Sequence, residues 1–345
     1  PAWAQLVLLA SLAVAVGAAV AEAVCTEAAG TACRVEEGPK KPQPAWVPKP
    51  LPYAALDAAA PEKAGWHVKY HGVVLLRSKA TLEEARFMVD GIMQGLGQVR
   101  NKMSTPTANG TSLNPRNESS KVSPLRVAYV DNHQLAPADH TVQGPHQEGM
   151  TMTRNNRRYV VFYCEEPGDS GGDTALFDMQ RAWFLLPPDL RERLRRSSFG
   201  HQTVEGDTLP VPAVVKREES GLPCLQFYCF GKTTRACVDV YRARTGRRHV
   251  TSDPYGYGMR SDADILLISE DGNSTSFVGP DLTRLLWGIY GAMYEHRWQK
   301  GDVVIIDNVR FAHARLEGSG GSRSLRFLTY GPPDKSMNLS KLDRP

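Results

Sequence analysis

The chain has 345 residues, of which 41% are hydrophobic and 23% are charged, as in an ordinary globular protein. Its formal net charge is +4, and no basic stripe runs along it, which argues against nucleic acid as a partner. This length accommodates one large domain or two of ordinary size. Composition alone leaves the other functional classes open.

The N-terminal residues have the pattern of a secretory signal peptide. An apolar stretch at 6–20 is followed by Ala21-Glu22-Ala23, a small-residue cleavage site. We therefore expect a signal peptide at 1–23, a Pro/Lys/Ala-rich arm at 24–64, one domain at 65–335 and a tail at 336–345. An uncleaved signal anchor is the alternative, although the stretch is short for a full membrane span. After cleavage no stable membrane association is expected.

Sequons and cysteines agree with a secretory route. Asn-X-Ser/Thr sequons begin at Asn109, Asn117, Asn273 and Asn338, and the six cysteines are Cys25, Cys33, Cys164, Cys224, Cys229 and Cys237. Cys25 and Cys33 flank a small loop and can pair, and the last three can supply another bridge of open connectivity. We expect the secretory pathway or the extracellular space, with a plastid route that begins with a signal peptide as the alternative.

Hydrophobic periodicity and turn residues predict the elements in chain order. They are a strand at 67–78, a helix that begins with a capping box at 81–84, an exposed loop at 101–123, strands at 158–165 and 173–178, a helix at 181–196, strands at 225–230 and 264–269, a helix at 282–297, and strands at 301–307 and 323–330. Many strands and few helices in one unit favour a mostly β fold with flanking helices, a double-stranded β-helix of the jelly-roll, cupin-like type.

Two separated segments carry candidate metal ligands, His146-X-Glu148 and His313. Alternating residues of an extended segment point to the same side, so that His146 and Glu148 can reach one ion. His313 follows a buried strand, where a jelly roll can bring it opposite the first pair. Two imidazoles and one carboxylate occupy one face of Fe(II) and leave the opposite face open. The His-X-Glu motif alone has little specificity.

The segments around these residues resemble the taurine dioxygenase/clavaminate synthase-like (TauD/TfdA-like) branch of the Fe(II)/2-oxoglutarate-dependent dioxygenases. The similar stretches are 144–148, 159–164, 171–178, 298–315 and 321–323, within roughly residues 65–332. The resemblance implies that His146, Glu148 and His313 bind Fe(II), with 2-oxoglutarate and O2 as cosubstrates.

The same resemblance implies that Arg323 and Thr174 hold the distal carboxylate of 2-oxoglutarate, a task that suits the planar guanidinium group. Arg326 is a rival for this role. Three residues along a strand from Arg323, however, its side chain should face the other way.

Two positions narrow the reaction that the resemblance implies. The family usually has Asp at the position of Glu148, whereas Glu matches the clavaminate synthase-like subset. A carboxylate at this position argues against the iron–halide site of related halogenases. Phe327 stands where taurine-type enzymes carry a second Arg, so a sulfonate substrate is not expected. The implied reaction is decarboxylation of 2-oxoglutarate to succinate and CO2, coupled to oxidation, by default hydroxylation, of a C–H bond. The partner is a small-molecule substrate, with an amino-acid-like metabolite as one candidate.

Alternatives remain open from the residues alone. One is a non-catalytic, secreted jelly-roll binding glycoprotein, and the other is a cupin-type oxygenase without a cosubstrate. The intact ligand set argues against the first, and Arg323 with Thr174 against the second.

Several residues near the motifs have plainer interpretations. We read Trp298 and Tyr163 as core residues, and Asn308 as the residue that fixes the loop presenting His313. Arg315 either contacts substrate or forms a salt bridge. The sequence makes no prediction of the oligomeric state.

Overall fold

A central antiparallel sheet, covered on both faces, organises the part of the chain that the structure describes. This structure, a computed structural model, describes residues 61–77, 80–101, 144–149, 157–202, 208–229, 233–247, 265–316, 318–319 and 324–333. All of them lie in one compact unit, Pro44–Pro345. The predicted signal peptide, most of the arm, the loop from residue 102 onward and the tail lie outside the described residues.

The described helices are numbered in chain order. They are α1 Pro61–His71, α2 Leu82–Gly95, α3 Met179–Leu185, α4 Pro188–Arg195, α5 Thr233–Thr245 and α6 Gly279–Gly291. The capping box predicted for α2 is confirmed, because the Thr81 hydroxyl accepts from the Glu84 N–H and the Glu84 carboxylate accepts from the Thr81 N–H. None of these described helices is long and apolar enough to cross a membrane.

The described strands are also numbered in chain order. They are β1 Val73–Arg77, β2 Val99–Arg100, β3 Tyr159–Glu166, β4 Ser170–Gly171, β5 Thr174–Asp178, β6 Ser197–Gln202, β7 Thr208–Pro212, β8 Val214–Lys216, β9 Pro223–Leu225, β10 Ile265–Ser269, β11 Ser274–Ser276, β12 Met293–His296, β13 Asp302–Asp307, β14 Phe311–Arg315, β15 Gly318–Ser319 and β16 Ser324–Gly331.

Two antiparallel sheets enclose the inner core. A five-stranded sheet has the order β1-β13-β3-β16-β2, and a three-stranded sheet has the order β12-β5-β14. Side chains of both sheets meet in one buried cluster that includes Phe162, Leu176, Val304, Phe311 and Phe327. This arrangement is the predicted double-stranded β-helix.

Helices cover the outer faces of both sheets. Val68 of α1 and Val89 of α2 are buried in one cluster with Val161 and Val303 of the five-stranded sheet. In a second cluster, residues of α3, α5 and α6 pack with the outer face of the three-stranded sheet and with a four-stranded sheet of order β11-β10-β6-β7. Because both faces of β3 and β13 are covered, these strands are almost continuously hydrophobic rather than alternating.

Three predicted element boundaries are wrong. Residues 67–71 belong to α1, and the strand begins only at Val73. The helix predicted at 181–196 is two helices, α3 and α4, because Pro187 and Pro188 interrupt it. The helix predicted at 282–297 ends at Gly291, since the residues after it pair with β5 as strand β12.

The strand predicted at 225–230 is also wrong, because the strand found there, β9, spans Pro223–Leu225 and overlaps the predicted range only at Leu225. Strand β9 ends at Leu225, and a single bridge at Tyr228 follows it in the described residues. This bridge is part of the contact that positions His146.

The cysteines and sequons are only partly described. None of the four described cysteines, Cys164, Cys224, Cys229 and Cys237, forms a disulfide, so the bridge considered among the last three is not present there. Cys25 and Cys33 lie outside the described residues. Asn273 is exposed in the turn between β10 and β11, and the other sequons lie outside the described residues.

Candidate active site

Backbone pairing brings the two predicted ligand segments together. The N–H of His146 donates to the carbonyl of His313 at 3.0 Å, and the N–H of His313 donates back to His146 at 2.8 Å. The two imidazole rings lie 4.3 Å apart, centroid to centroid. One side-chain atom each from His146, Glu148 and His313 lies within 4.8 Å of the other two. The three predicted ligands therefore form one cluster beside β14, in which both histidines are buried and Glu148 is partly exposed.

Both imidazoles are in the state that a metal requires. The Nδ1 of His146 lies 2.9 Å from the carbonyl oxygen of Gly144. Because a carbonyl only accepts hydrogen bonds, Nδ1 must carry the proton, and Nε2 keeps its lone pair. Burial lowers the pKa of His146. Burial, followed by the neighbouring His146, lowers the pKa of His313 well below its usual value. Both rings are thus neutral near pH 7.

Glycine at 144 is required by the close approach of this segment to Cys229. A Cβ atom on Gly144 would lie 2.4 Å from the Cys229 sulfur, which is a severe clash. The Cys229 N–H also donates to the Pro145 carbonyl at 3.1 Å. The segment is therefore pressed against the chain after β9, where the Gly144 carbonyl can orient the His146 ring.

Arg157 and Asn308 hold Glu148 in place. The Arg157 guanidinium donates to Oε1 of Glu148 at 2.8 Å, while Oε2 lies 4.0 Å from Nε2 of His313. The Asn308 side chain accepts from the Glu148 N–H at 2.8 Å and donates to the carbonyls of Glu148 and Arg157. The predicted side-chain-to-backbone bonds of Asn308 are present, and they tie the loop before His313 to the turn that carries Glu148, a partner that was not predicted.

The donor set fits a divalent iron ion. Two neutral imidazoles and one carboxylate converge, and among the described residues no other group of three such side chains does so. This is the two-histidine, one-carboxylate set that leaves coordination positions open on Fe(II). His146, Glu148 and His313 would hold the ion.

Thr174 lies on the same inner face as His313. Along β14, Phe311, His313 and Arg315 alternate with the outward Ala312 and Ala314. Thr174 is paired across the strands with Arg315 on one side and with His296 on the other. Its buried hydroxyl accepts a hydrogen bond from the indole N–H of Trp298 at 2.9 Å.

The two predicted arginines differ in placement. Arg323 lies outside the described residues. Arg326 binds the carboxylate of Glu165 at 2.8 Å and lies beside Tyr163 and Leu328, on the face of β16 that packs against α2. Its neighbour Phe327 faces the inner core. The structure therefore does not bring Arg326 together with the metal ligands, because adjacent residues of a strand face opposite sides.

Aromatic side chains pack on one side of the His313 ring. The Phe162 ring meets the His313 ring edge to face, with the centroids 5.1 Å apart. Phe162 also contacts the rings of Phe327 at 5.4 Å and Trp298 at 6.2 Å. Tyr228 makes a similar edge contact with His146. These contacts restrict the rotation of both imidazoles.

Sequence reasoning overlooked two of these residues. Arg157 was not singled out, since nothing in its local sequence separates it from the adjacent Arg154 and Arg158. Trp298 was interpreted as core, and it is buried, but its indole N–H also bonds a predicted cosubstrate residue. The polar end of a tryptophan in such a motif could have been noticed as a donor that needs an acceptor.

A double-stranded β-helix with two histidines and one carboxylate between its sheets defines the class of non-haem iron oxygenases. The profile of the family described as "Taurine catabolism dioxygenase TauD, TfdA family" matches residues 40–329. The chain therefore belongs to the TauD/TfdA family, whose members are Fe(II)/2-oxoglutarate-dependent oxygenases.

The individual proteins that resemble this chain have low sequence identity to it. Pentalenolactone F synthase from Streptomyces avermitilis is 27% identical over 178 residues, which are 49% of this chain and 54% of that enzyme, so the chain spans about half the length of this curated relative. The crystal structure of a taurine dioxygenase from Burkholderia xenovorans has a TM-score of 0.50 at 16% identity, over 85% of this chain and 93% of that one. The PvcB protein of Pseudomonas aeruginosa has a TM-score of 0.47 at 16% identity, over 83% and 84% of the two chains. At these identities the structural likeness concerns the fold alone.

Proposed function

We propose that this protein is an Fe(II)/2-oxoglutarate-dependent oxygenase that hydroxylates a C–H bond of a small molecule. The observation that carries the proposal is the convergence of His146, Glu148 and His313, with both imidazoles buried and neutral. Iron held by these residues would supply the activation of O2. The protein contributes the ligand geometry and the burial of both histidines.

The cosubstrate would lie between the iron ligands and Thr174. Thr174 and His313 are on neighbouring strands, with His313 paired to Leu176, so they are offset by two residues, or about 7 Å along the strands. A dicarboxylate that binds the metal through its 2-oxo acid end would place its distal carboxylate near this hydroxyl. Arg323 is proposed, from its sequence motif, as the cation that pairs with that carboxylate.

For the substrate we propose a small metabolite, with amino-acid-like compounds as the first candidates. Glu148 in place of Asp supports this choice, since it matches the clavaminate synthase-like subset. A sulfonate is not proposed, because Phe327 packs against Phe162 and offers no charge at the position where a sulfonate would need one. We further propose a secretory or extracellular location, or a signal-peptide-initiated plastid location, supported by the apolar stretch and the sequons of the sequence.

The test is succinate formation by the purified protein with Fe(II), 2-oxoglutarate and O2. We expect the wild-type protein to convert 2-oxoglutarate and His146→Ala to lose this activity, since it lacks one of three metal ligands. Metal affinity, measured by anaerobic titration calorimetry with Fe(II), should fall in the same variant. His67→Ala, on α1, is a matched control and should keep both properties. Normal succinate formation by His146→Ala would contradict the proposal, and an absence of metal uptake by the wild-type protein would favour a non-catalytic binding module.

A further inference from the structure

The hydrogen bond from Trp298 limits the directions in which the Thr174 hydroxyl can donate. An indole N–H can only donate, whereas a hydroxyl has one hydrogen to donate and two lone pairs to accept. Because Trp298 donates to Thr174 at 2.9 Å, one lone pair of the hydroxyl is occupied and its hydrogen must point elsewhere. Among the described residues, the hydroxyl makes no second hydrogen bond that would use this hydrogen. The Thr174 hydroxyl is therefore a buried group that can still donate one hydrogen bond.

The indole ring itself is held firmly. Trp298 is 5% exposed, and its ring meets His296 edge to face at 4.5 Å and Phe162 at 6.2 Å. The turn that follows is closed by the Asp302 carboxylate, which accepts from the Gln299 N–H at 3.0 Å. Because the contacts with His296 and Phe162 hold the Trp298 ring, its N–H points in one direction. Trp298 can therefore select one rotamer of Thr174.

The groups around Thr174 favour an anionic acceptor. Arg315, 7% exposed, is the cross-strand partner of Thr174 on β14, and both side chains face the inner core. A guanidinium and a hydroxyl therefore lie side by side on the inner face of the three-stranded sheet. A carboxylate oxygen is the acceptor that satisfies such donors most strongly.

We propose that Trp298 is a positioning residue, which holds the Thr174 hydroxyl as a donor to the distal carboxylate of 2-oxoglutarate. This inference rests on the proposed function and adds to it a residue that does not touch the cosubstrate. It makes the recognition of the distal carboxylate depend on an indole N–H, and not only on Thr174 and a cation. The part that Trp298 plays in packing is separate, and phenylalanine keeps an aromatic ring at this position while it removes the N–H.

The test compares Trp298→Phe with the wild-type protein in two measurements. We expect the KM for 2-oxoglutarate to rise roughly three- to tenfold, which is the effect of one neutral hydrogen bond, while kcat stays unchanged. Anaerobic calorimetry on the Fe(II)-loaded protein should show the same loss of affinity for 2-oxoglutarate. Affinity for 2-oxobutyrate, which lacks the distal carboxylate, should not change. Trp66→Phe, at an exposed position on α1, is the matched control and should alter neither ligand's affinity.

A double-mutant cycle separates positioning from packing. Thr174→Val should weaken 2-oxoglutarate binding, and adding Trp298→Phe to it should cause no further loss, because the hydrogen bond is already absent. Thr174→Ser keeps the hydroxyl and should retain most of the affinity. Equal weakening of 2-oxoglutarate and 2-oxobutyrate by Trp298→Phe, or additive effects in the cycle, would overturn the inference and leave the proposed function intact. Failure of the wild-type protein to bind 2-oxoglutarate would instead overturn both.

Discussion

Two buried polar clusters lie next to one another at the end of β13, and they are built in opposite ways. The Asp307 cluster consists of Arg158, Arg217, Glu219 and Asp307, and the metal-ligand cluster consists of His146, Glu148 and His313. Asp307 and Asn308 are consecutive residues, and each serves a different cluster. The comparison shows which buried polar groups maintain the fold and which are available for chemistry.

In the Asp307 cluster, opposite charges satisfy one another. Asp307 Oδ2 contacts Arg158 at 2.9 Å and Arg217 at 2.7 Å, and Oδ1 accepts from the Val309 N–H. Arg217 also donates to the carbonyls of Lys69 and Tyr70 at the end of α1. Burial is the largest single influence and disfavours the charge of Arg158, but Asp307, Tyr159 and Glu219 together outweigh it and raise the pKa of Arg158. The cluster is neutral overall and ties α1 to β13.

In the metal-ligand cluster, the groups converge without satisfying one another. His313 Nε2 lies 4.0 Å from Glu148 Oε2, which is too far for a hydrogen bond, and its Nδ1 has no hydrogen-bond partner among the described residues. The two neutral rings and the carboxylate each offer a lone pair within 4.8 Å of the others, while the N–H of His146 is already bonded to the Gly144 carbonyl. Only a cation completes such a set, whereas the Asp307 cluster is complete by itself.

The largest effect is expected from breaking the Asp307 cluster. Asp307→Ala leaves two buried guanidinium groups without their shared acceptor, and the free energy of unfolding should fall by about 3–5 kcal/mol. Urea denaturation of the metal-free protein, followed by circular dichroism, measures the loss. Asp307→Asn keeps the side-chain volume, so its free energy of unfolding should fall less. This variant can be measured if Asp307→Ala does not fold.

Glu219→Gln is the matched control for this prediction. Glu219 belongs to the same cluster but is 13% exposed, so that water can replace part of its interaction. The free energy of unfolding of Glu219→Gln should be lower than that of the wild-type protein by no more than about 1 kcal/mol. If Asp307→Ala were as stable as Glu219→Gln, the cluster would not be the structural tie that its geometry indicates.

A smaller effect is expected where Asn308 joins the two clusters. Asn308→Ala removes two hydrogen bonds to the backbone of Glu148 and one to the carbonyl of Arg157, so Fe(II) affinity should fall roughly 10- to 100-fold, as for other residues that orient metal ligands. Anaerobic titration calorimetry measures this affinity. Asn308→Asp keeps the acceptor for the Glu148 N–H and loses the two donors, so its affinity should be intermediate. Unchanged metal affinity in a destabilised Asn308→Ala would assign Asn308 to the fold alone.

The sequence predicted the metal-ligand cluster better than the contacts that support it. His146, Glu148 and His313 are recognisable because the identity and spacing of ligands appear in local motifs. The contacts of Asn308 with Glu148, and of Trp298 with Thr174, depend on which strands lie side by side. That pairing is decided by the register of distant segments, which no local pattern contains.

The same distinction explains the elements that were predicted well or badly. The start of α2 is encoded in four consecutive residues, and its capping box was predicted correctly. Residues 67–71 contain Val and Tyr and read as strand, yet they are helical because Val68 packs into the cluster beneath α1 and α2. Strand β12 follows the helical pattern of α6 and is a strand because β5 lies beside it.

A carboxyl pair on the outer face of the three-stranded sheet extends the comparison and carries the smallest predicted effect. Burial, followed by the charge and hydrogen bond of Glu295, raises the pKa of Asp173 to about 6. Unlike the Asp307 cluster, this pair brings like charges together, although Arg247 bonds Glu295 at 3.0 Å. Ionisation of Asp173 therefore costs more free energy in the folded state than in the unfolded state.

The sign of this cost determines the pH dependence. The folded pKa of Asp173 lies above the unfolded value near 3.8, so the folded protein binds more protons between these values and loses stability as the pH rises through them. Asp173→Asn should thus be more stable than the wild-type protein at pH 7–8, by about 1 kcal/mol or less because water screens this half-buried group. The advantage should disappear near pH 4. Thermal unfolding at both pH values checks this, with Asp169→Asn as a nearby control, and an equal advantage at both would show that charge repulsion is not the cause.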